Sequence, residues 1–148
     1  MSLEILAPNQ PKEPSIFLIS ACPLLTTKSR MRALIIEQEK TLQNSLALFL
    51  GSQKNYQVFS ANSKKEGVTL WGASPCDLVI CNDRLPDGSG LEMLKKFSRQ
   101  DPKVISILMT VRSDEGLRQE ALTAGIKAYL EKPFDLQQLE EAMGFIRP

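Results

Sequence analysis

Leu78-Val79-Ile80-Cys81-Asn82-Asp83-Arg84-Leu85-Pro86-Asp87-Gly88-Ser89-Gly90-Leu91-Glu92-Met93-Leu94 is the stretch on which the fold turns. Four apolar residues in a row, with no alternation, read as a strand buried on both faces, which is the pattern of a parallel sheet. The turn-rich segment from Asn82 to Gly90 then opens a helical pattern at Leu91. A strand that ends in a short polar side chain before such a loop projects that side chain into the crevice at the carboxyl edge of the sheet. In α/β domains that edge carries the chemistry, so Asn82 is the first candidate site residue.

Two later segments lead to the same edge. Val104-Ile105-Ser106-Ile107-Leu108-Met109 reads as a buried strand that delivers Thr110, and Ala128-Tyr129-Leu130 as another, followed by Glu131-Lys132-Pro133-Phe134. A hydroxyl and an ammonium thus join the amide. Upstream, Ala33-Leu34-Ile35-Ile36 is an apolar strand leading into Glu37-Gln38.

With these spacings the chain resembles the receiver domain of two-component response regulators. The resemblance rests on the step of four from Asn82 to Pro86 and of four more to Gly90. It rests also on Thr110 after the fourth strand, Ala124-Gly125 before the fifth, and Tyr129 three residues ahead of Lys132-Pro133-Phe134. It covers residues 31–148 and implies a flavodoxin-like (βα)5 three-layer sandwich whose parallel sheet has the order 2-1-3-4-5. Residues 1–30 read as an irregular N-terminal extension.

The resemblance also marks departures. In that family the position of Asn82 is an aspartate that takes a phosphoryl group from a kinase histidine, and a pair of acids after the first strand holds magnesium. Here the strand leads into Glu37 and Gln38. An amide nitrogen has its lone pair delocalised into the carbonyl, so Asn82 cannot form an acyl phosphate. Magnesium wants oxygen ligands, usually one or two carboxylates with water and phosphate, and of three expected carboxylates only Glu37 remains. Phosphoryl transfer depends on positioning and on neutralisation by metal and lysine. The expectation is therefore a degenerate phosphoacceptor pocket made of Asn82, Glu37, Gln38, Thr110 and Lys132, with magnesium binding at Glu37 weak or lost and no cofactor.

The 148 residues suit one domain with a usable core and a tail. Net charge is +1 with no basic block, so neither nucleic acid nor an anionic membrane is suggested as a direct partner. The chain has no histidine, which removes a phosphohistidine donor, a histidine-activated nucleophile and the commonest transition-metal ligand. The chain is not expected to be an enzyme. Cys22, Cys76 and Cys81 lack metal-site spacing and fit a reducing cytoplasm. Cys76 and Cys81 read as core or boundary residues, with redox sensing as the alternative. Ile16 to Leu25 is too short to span a bilayer and has no basic cap before it.

From residue 31 strands and helices alternate. Leu42, Leu46, Phe49 and Leu50 form a helical stripe that Gly51 is expected to end. Tyr56-Gln57-Val58-Phe59-Ser60 alternates and suits an edge strand. Ser63 is expected to cap a helix with Glu66 as its capping-box partner, and Ser113 another that Gly125 closes. Leu136, Leu139, Met143 and Ile146 mark the last helix. Met31, Met93, Met109 and Met143 read as packing, and Trp71 as a core or interface aromatic.

Other readings stand beside these. Asn82 alone could be a turn residue, and Thr110 a simple strand-end cap. Asp83, one residue late, is a possible alternative acceptor, although side chains alternate along a strand and it should point away from the crevice. Lys132 is expected to pair with Glu37 or to bond the Asn82 carbonyl oxygen. A domain binding a small ligand or nucleotide in the vacated crevice is a further possibility, weakened because Glu37-Gln38-Glu39-Lys40 stands where a glycine-rich loop would be. The first reading is a signalling module whose partner is a histidine kinase, an output domain or another regulator. The family implies contact through helix 4, strand 5 and helix 5, with Thr110 and Tyr129 as switch residues and a homodimer as one outcome. Output is expected to pass through a surface of this domain or through a further piece.

Overall fold

The computed structural model describes residues 30–112 and 114–146. The expectations for the N-terminal extension, Cys22 and Ser113 therefore lie outside the described residues. Five parallel strands, β1 (Arg32–Ile36), β2 (Gln57–Ala61), β3 (Leu78–Asn82), β4 (Ile105–Thr110) and β5 (Ala128–Glu131), form one sheet in the order β2-β1-β3-β4-β5. This is the flavodoxin-like arrangement expected from the sequence. Helices α1 (Lys40–Leu48), α2 (Lys64–Ala73), α3 (Gly90–Gln100), α4 (Glu115–Thr123) and α5 (Leu136–Ala142) alternate with the strands. A two-residue antiparallel ribbon, Arg84–Leu85 with Gly88–Ser89, fills the turn between β3 and α3.

Alternation along the strands produces two cores. Leu34, Ile36, Val79, Cys81 and Leu108 face one way and pack with Leu91, Met93, Leu94 and Phe97 of α3 and Leu117 and Ala121 of α4. Ala33, Ile35, Leu78, Ile80, Ile107 and Met109 face the other way and pack with Leu46 of α1 and Leu139 and Ala142 of α5. β3 and β4 are buried along their whole length, whereas edge strand β2 is buried only at Ala61. Trp71 stacks on Phe97, centroids 4.3 Å apart, which ties α2 to α3. Among the described residues no helix is long and apolar enough to cross a membrane.

Several local expectations are corrected. Gly51 does not stop α1, because the chain continues through a π-helical turn, Phe49–Gln53, and changes direction at Asn55 with φ of 60°. Asparagine tolerates that left-handed conformation, so the terminating signal lies four residues later. Ser63 caps α2 by accepting from the Glu66 amide, but the Glu66 carboxylate reaches one residue further back, to the amide of Asn62. Asp114 caps α4 through the Leu117 amide. Met31 is 40 % exposed and Leu136 54 %, so neither belongs to the packing stripes, while Met93, Met109 and Met143 are buried. Gly125 closes α4 with φ of 95° as expected.

Burial of acidic groups gives the fold an alkaline limit. Burial, reinforced by the charge of Asp77, pushes the Tyr56 hydroxyl up to about 12 from 10.0. Burial is also the main cause that pushes the Cys76 thiol up to about 11 from 9.0. Both groups are neutral when protonated, and both hold the proton more tightly folded than unfolded. Their contribution is complete below the unfolded values and is lost as pH rises through the folded ones. The urea midpoint is therefore expected to fall steadily between pH 9 and 12, and the fall should be shallower in a Tyr56→Phe, Cys76→Ala double variant. Equal slopes in the two proteins would contradict this.

Candidate functional site

The carboxyl edge of the sheet holds a crevice of about 230 Å³ lined by Glu37, Gln38, Glu39, Asn82, Asp83, Arg84, Thr110, Val111 and Lys132. Strand parity explains how the side chains reach it. Glu37 continues the Ala33, Ile35 face and Asn82 the Leu78, Ile80 face, and Lys132 lies two residues after Leu130, all on the α1/α5 side. Thr110 and Asp83 continue the Leu108 and Cys81 positions, on the α2/α3/α4 side. At the end of the sheet the two faces open into one space.

On the α1/α5 side, Lys132 Nζ donates to Glu37 Oε1 at 2.7 Å, and the ion pair is deep, with the Glu37 side chain 1 % exposed. This was one of the two arrangements expected for Lys132. Glu37 Oε2 accepts from the Glu39 amide at 2.9 Å, so both carboxylate oxygens are engaged. The peptide between Lys132 and Pro133 is cis. Asn82 Nδ2 donates to the Arg84 carbonyl at 2.7 Å and lies 3.4 Å from Gln38 Oε1, while Gln38 Nε2 donates to the same Arg84 carbonyl. The two amides thus share the ribbon backbone and hold the turn after β3 against the loop after β1.

On the other side, Asp83 does not point away. Alternation does send it to the opposite face from Asn82, but that face also ends in the crevice, and there the carboxylate meets Thr110 and Arg112. Asp83 Oδ2 accepts from Thr110 Oγ1 at 3.2 Å and from Arg112 Nε at 3.1 Å, and Arg112 Nη2 forms an ion pair with the same oxygen at 3.1 Å. The Arg112 amide donates to Thr110 Oγ1 at 3.0 Å, and Tyr129 Oη donates to the Arg112 carbonyl at 2.8 Å. Arg112 was not anticipated. It lies in the loop beyond β4, where no strand periodicity constrains it.

Cys81 lies under this floor and is fully buried, its Sγ donating to the Asn82 carbonyl at 3.2 Å. Burial first, then the charges of Glu37 and Asp83, pushes its thiol far up, so it stays protonated and unreactive at neutral pH. Among the described residues no cluster of three or more histidine, cysteine or acidic side chains is placed to hold a metal.

Residues 33–144 match the model of the response regulator receiver domain. The chain is 34 % identical over 113 residues to the response regulator protein PilR of Pseudomonas aeruginosa, an alignment covering 76 % of this chain and 25 % of that protein. It is 34 % identical over 110 residues to the transcriptional regulatory protein PmrA of Pectobacterium parmentieri, covering 74 % and 49 %. The chain thus spans half or less of the length of these relatives. Among solved structures, a CheY-like response regulator receiver domain protein from Methanospirillum hungatei JF-1 superimposes with a TM-score of 0.72 at 27 % identity, covering 78 % of this chain and 91 % of that one. With the matching sheet order and the crevice at its carboxyl edge, these likenesses make the chain a member of the response regulator receiver domain family.

Proposed function

We propose that this domain works in two-component signalling as a protein-binding module that does not take up a phosphoryl group in the ordinary way. The observation that carries the reading is Asn82 at the end of β3, where the family's acceptor aspartate would stand, with its amide nitrogen donating to the Arg84 carbonyl. A neutral amide committed to its own turn is not a nucleophile. The crevice around it also suits magnesium poorly. Glu37 has one oxygen on Lys132 and the other on the Glu39 amide, Gln38 and Asn82 carry no charge, and Asp83 is held by Arg112. A hard dication would have to break an ion pair to gain its first carboxylate.

In this reading the module is cytoplasmic and its partner is a histidine kinase, an output domain or another regulator. It engages that partner through the face of α4, β5 and α5 that includes Tyr129, with Thr110 as its switch residue and a homodimer through the same face as one outcome. The balanced charge of this chain does not bear on nucleic acid contact by a longer protein, and PmrA is named as a transcriptional regulator.

One observation favours a second reading, in which Asp83 is the acceptor, since its carboxylate lines the same crevice. Incubation with magnesium and acetyl phosphate, followed by intact mass measurement, separates the two. The native chain is expected to gain no phosphoryl group, whereas an Asn82→Asp, Gln38→Asp variant is expected to gain one. An adduct on the native chain mapping to Asp83 would establish the second reading and overturn the first.

A further inference from the structure

The Asp83 carboxylate, Thr110 hydroxyl and Arg112 side chain and backbone form a connected set whose hydrogen-bond directions follow from chemistry. A carboxylate only accepts, so the Thr110 hydroxyl proton is directed to Asp83, which leaves a lone pair of Oγ1 for the Arg112 amide. The Arg112 guanidinium folds back on the same carboxylate oxygen, and its carbonyl takes the Tyr129 hydroxyl proton. Asp83 and Thr110 are buried, and Arg112 is about one-third exposed. Removing Asp83 would leave a buried hydroxyl without its acceptor and a guanidinium whose remaining charge partner, Asp114 Oδ2, lies 3.9 Å away. The Arg112 backbone meets both Thr110 and Tyr129, and its guanidinium also lies 3.9 Å from Asp114, the cap of α4.

We infer that Asp83 is a positioning residue, an anion built into the chain that pins Arg112 just beyond β4, so that Thr110, Tyr129 and the start of α4 are held in one arrangement without an external ligand. The inference deepens the proposed function, because a binding module without a phosphoryl switch needs its contact surface set by something internal. It depends on that reading only for its purpose. The clamp itself can be tested with no phosphodonor present.

The test is hydrogen–deuterium exchange of the full chain, followed by peptide, for native protein, Asp83→Ala, Asp83→Glu and Arg112→Gln. Asp83→Ala is expected to speed exchange of the α4 amides from Leu117 onward, and of the peptide containing Tyr129, by tenfold or more, with β1 and β3 unchanged. Arg112→Gln removes only part of the clamp and should raise exchange in the same peptides by a smaller factor. Asp83→Glu, which keeps the acceptor on a longer stem, should restore part of the protection. Unchanged α4 exchange in both Asp83→Ala and Arg112→Gln would overturn the inference. So would a rise spread evenly over the sheet, which marks general destabilisation. If Asp83→Ala does not fold, Arg112→Gln alone decides between these outcomes. An acetyl phosphate adduct on Asp83 would defeat the proposed function while leaving this exchange pattern intact, so the two can fail separately.

Discussion

Lys132→Met is expected to lower the stability of the domain by about 3 kcal/mol, because it strands the Glu37 carboxylate in a buried position. Lys132 Nζ lies 2.7 Å from Glu37 Oε1, and Glu37 is 1 % exposed. The remaining hydrogen bond, from the Glu39 amide to the second carboxylate oxygen, does not neutralise the charge. The two partners are not equivalent. The Lys132 side chain is 18 % exposed and can turn its ammonium toward water on a flexible stem, whereas Glu37 has no such route. Glu37→Gln alone should therefore cost about 1 kcal/mol, and adding it to Lys132→Met should recover at least half of the loss. Urea unfolding of the four proteins closes the cycle. Additive losses, with no recovery in the double variant, would mean that the pair carries no coupling.

That pair shows what the sequence made legible. Glu37 directly follows the apolar run Ala33 to Ile36 and Lys132 comes two residues after Leu130, and residues at strand ends meet at the carboxyl edge. The same logic brings Asn82, Thr110 and Lys132 to one crevice, and the alternation of Tyr56 to Ser60 separately marks β2 as an edge strand. Asp83 shows its limit. Alternation assigns a face, but at the end of a sheet both faces empty into one space, and what a side chain meets there depends on the loop beyond. Arg112 lies in that loop, where no periodicity constrains it.

Helix ends were less legible for a related reason. Gly51 carries the usual stop signal, yet the chain continues into a π-helical turn that buries Phe49 and Leu50, and Asn55 makes the change of direction instead. Burial of two large apolar side chains outweighs the modest preference of one glycine for a terminus. Leu136 fits the spacing of the α5 stripe but sits in the first turn, 54 % exposed, beyond the reach of the sheet. Spacing alone does not say where the neighbouring layer ends.

Gly90→Ala is expected to cost about 3 kcal/mol or more, for a reason of space and not of backbone conformation. A Cβ there would stand 1.9 Å from the Asn82 carbonyl oxygen, 2.8 Å from Cys81 Sγ and 3.0 Å from the Asn82 carbonyl carbon. The first turn of α3 rests directly on the end of β3, and the Gly90 amide donates to the Asp83 carbonyl at 2.8 Å. Relief requires α3 to move off the strand by about an ångström, which loosens Leu91, Met93, Leu94 and Phe97 together. Two other glycines calibrate the effect. At Gly67 an added Cβ meets the tip of Ile36 at 2.8 Å, a side chain that can rotate, so Gly67→Ala should cost about 1 kcal/mol. At Gly72, inside α2, nothing lies within 4 Å, and alanine should stabilise by up to about 1 kcal/mol through helix propensity. Thermal unfolding of the three variants reads the order directly. Trp71 fluorescence, sensitive to its stacking on Phe97 of α3, should change in Gly90→Ala and stay constant in Gly72→Ala. A Gly90→Ala protein as stable as Gly67→Ala would show that α3 can slide on β3, and that the close seating of helix on strand beneath Asn82 does not hold the crevice in place.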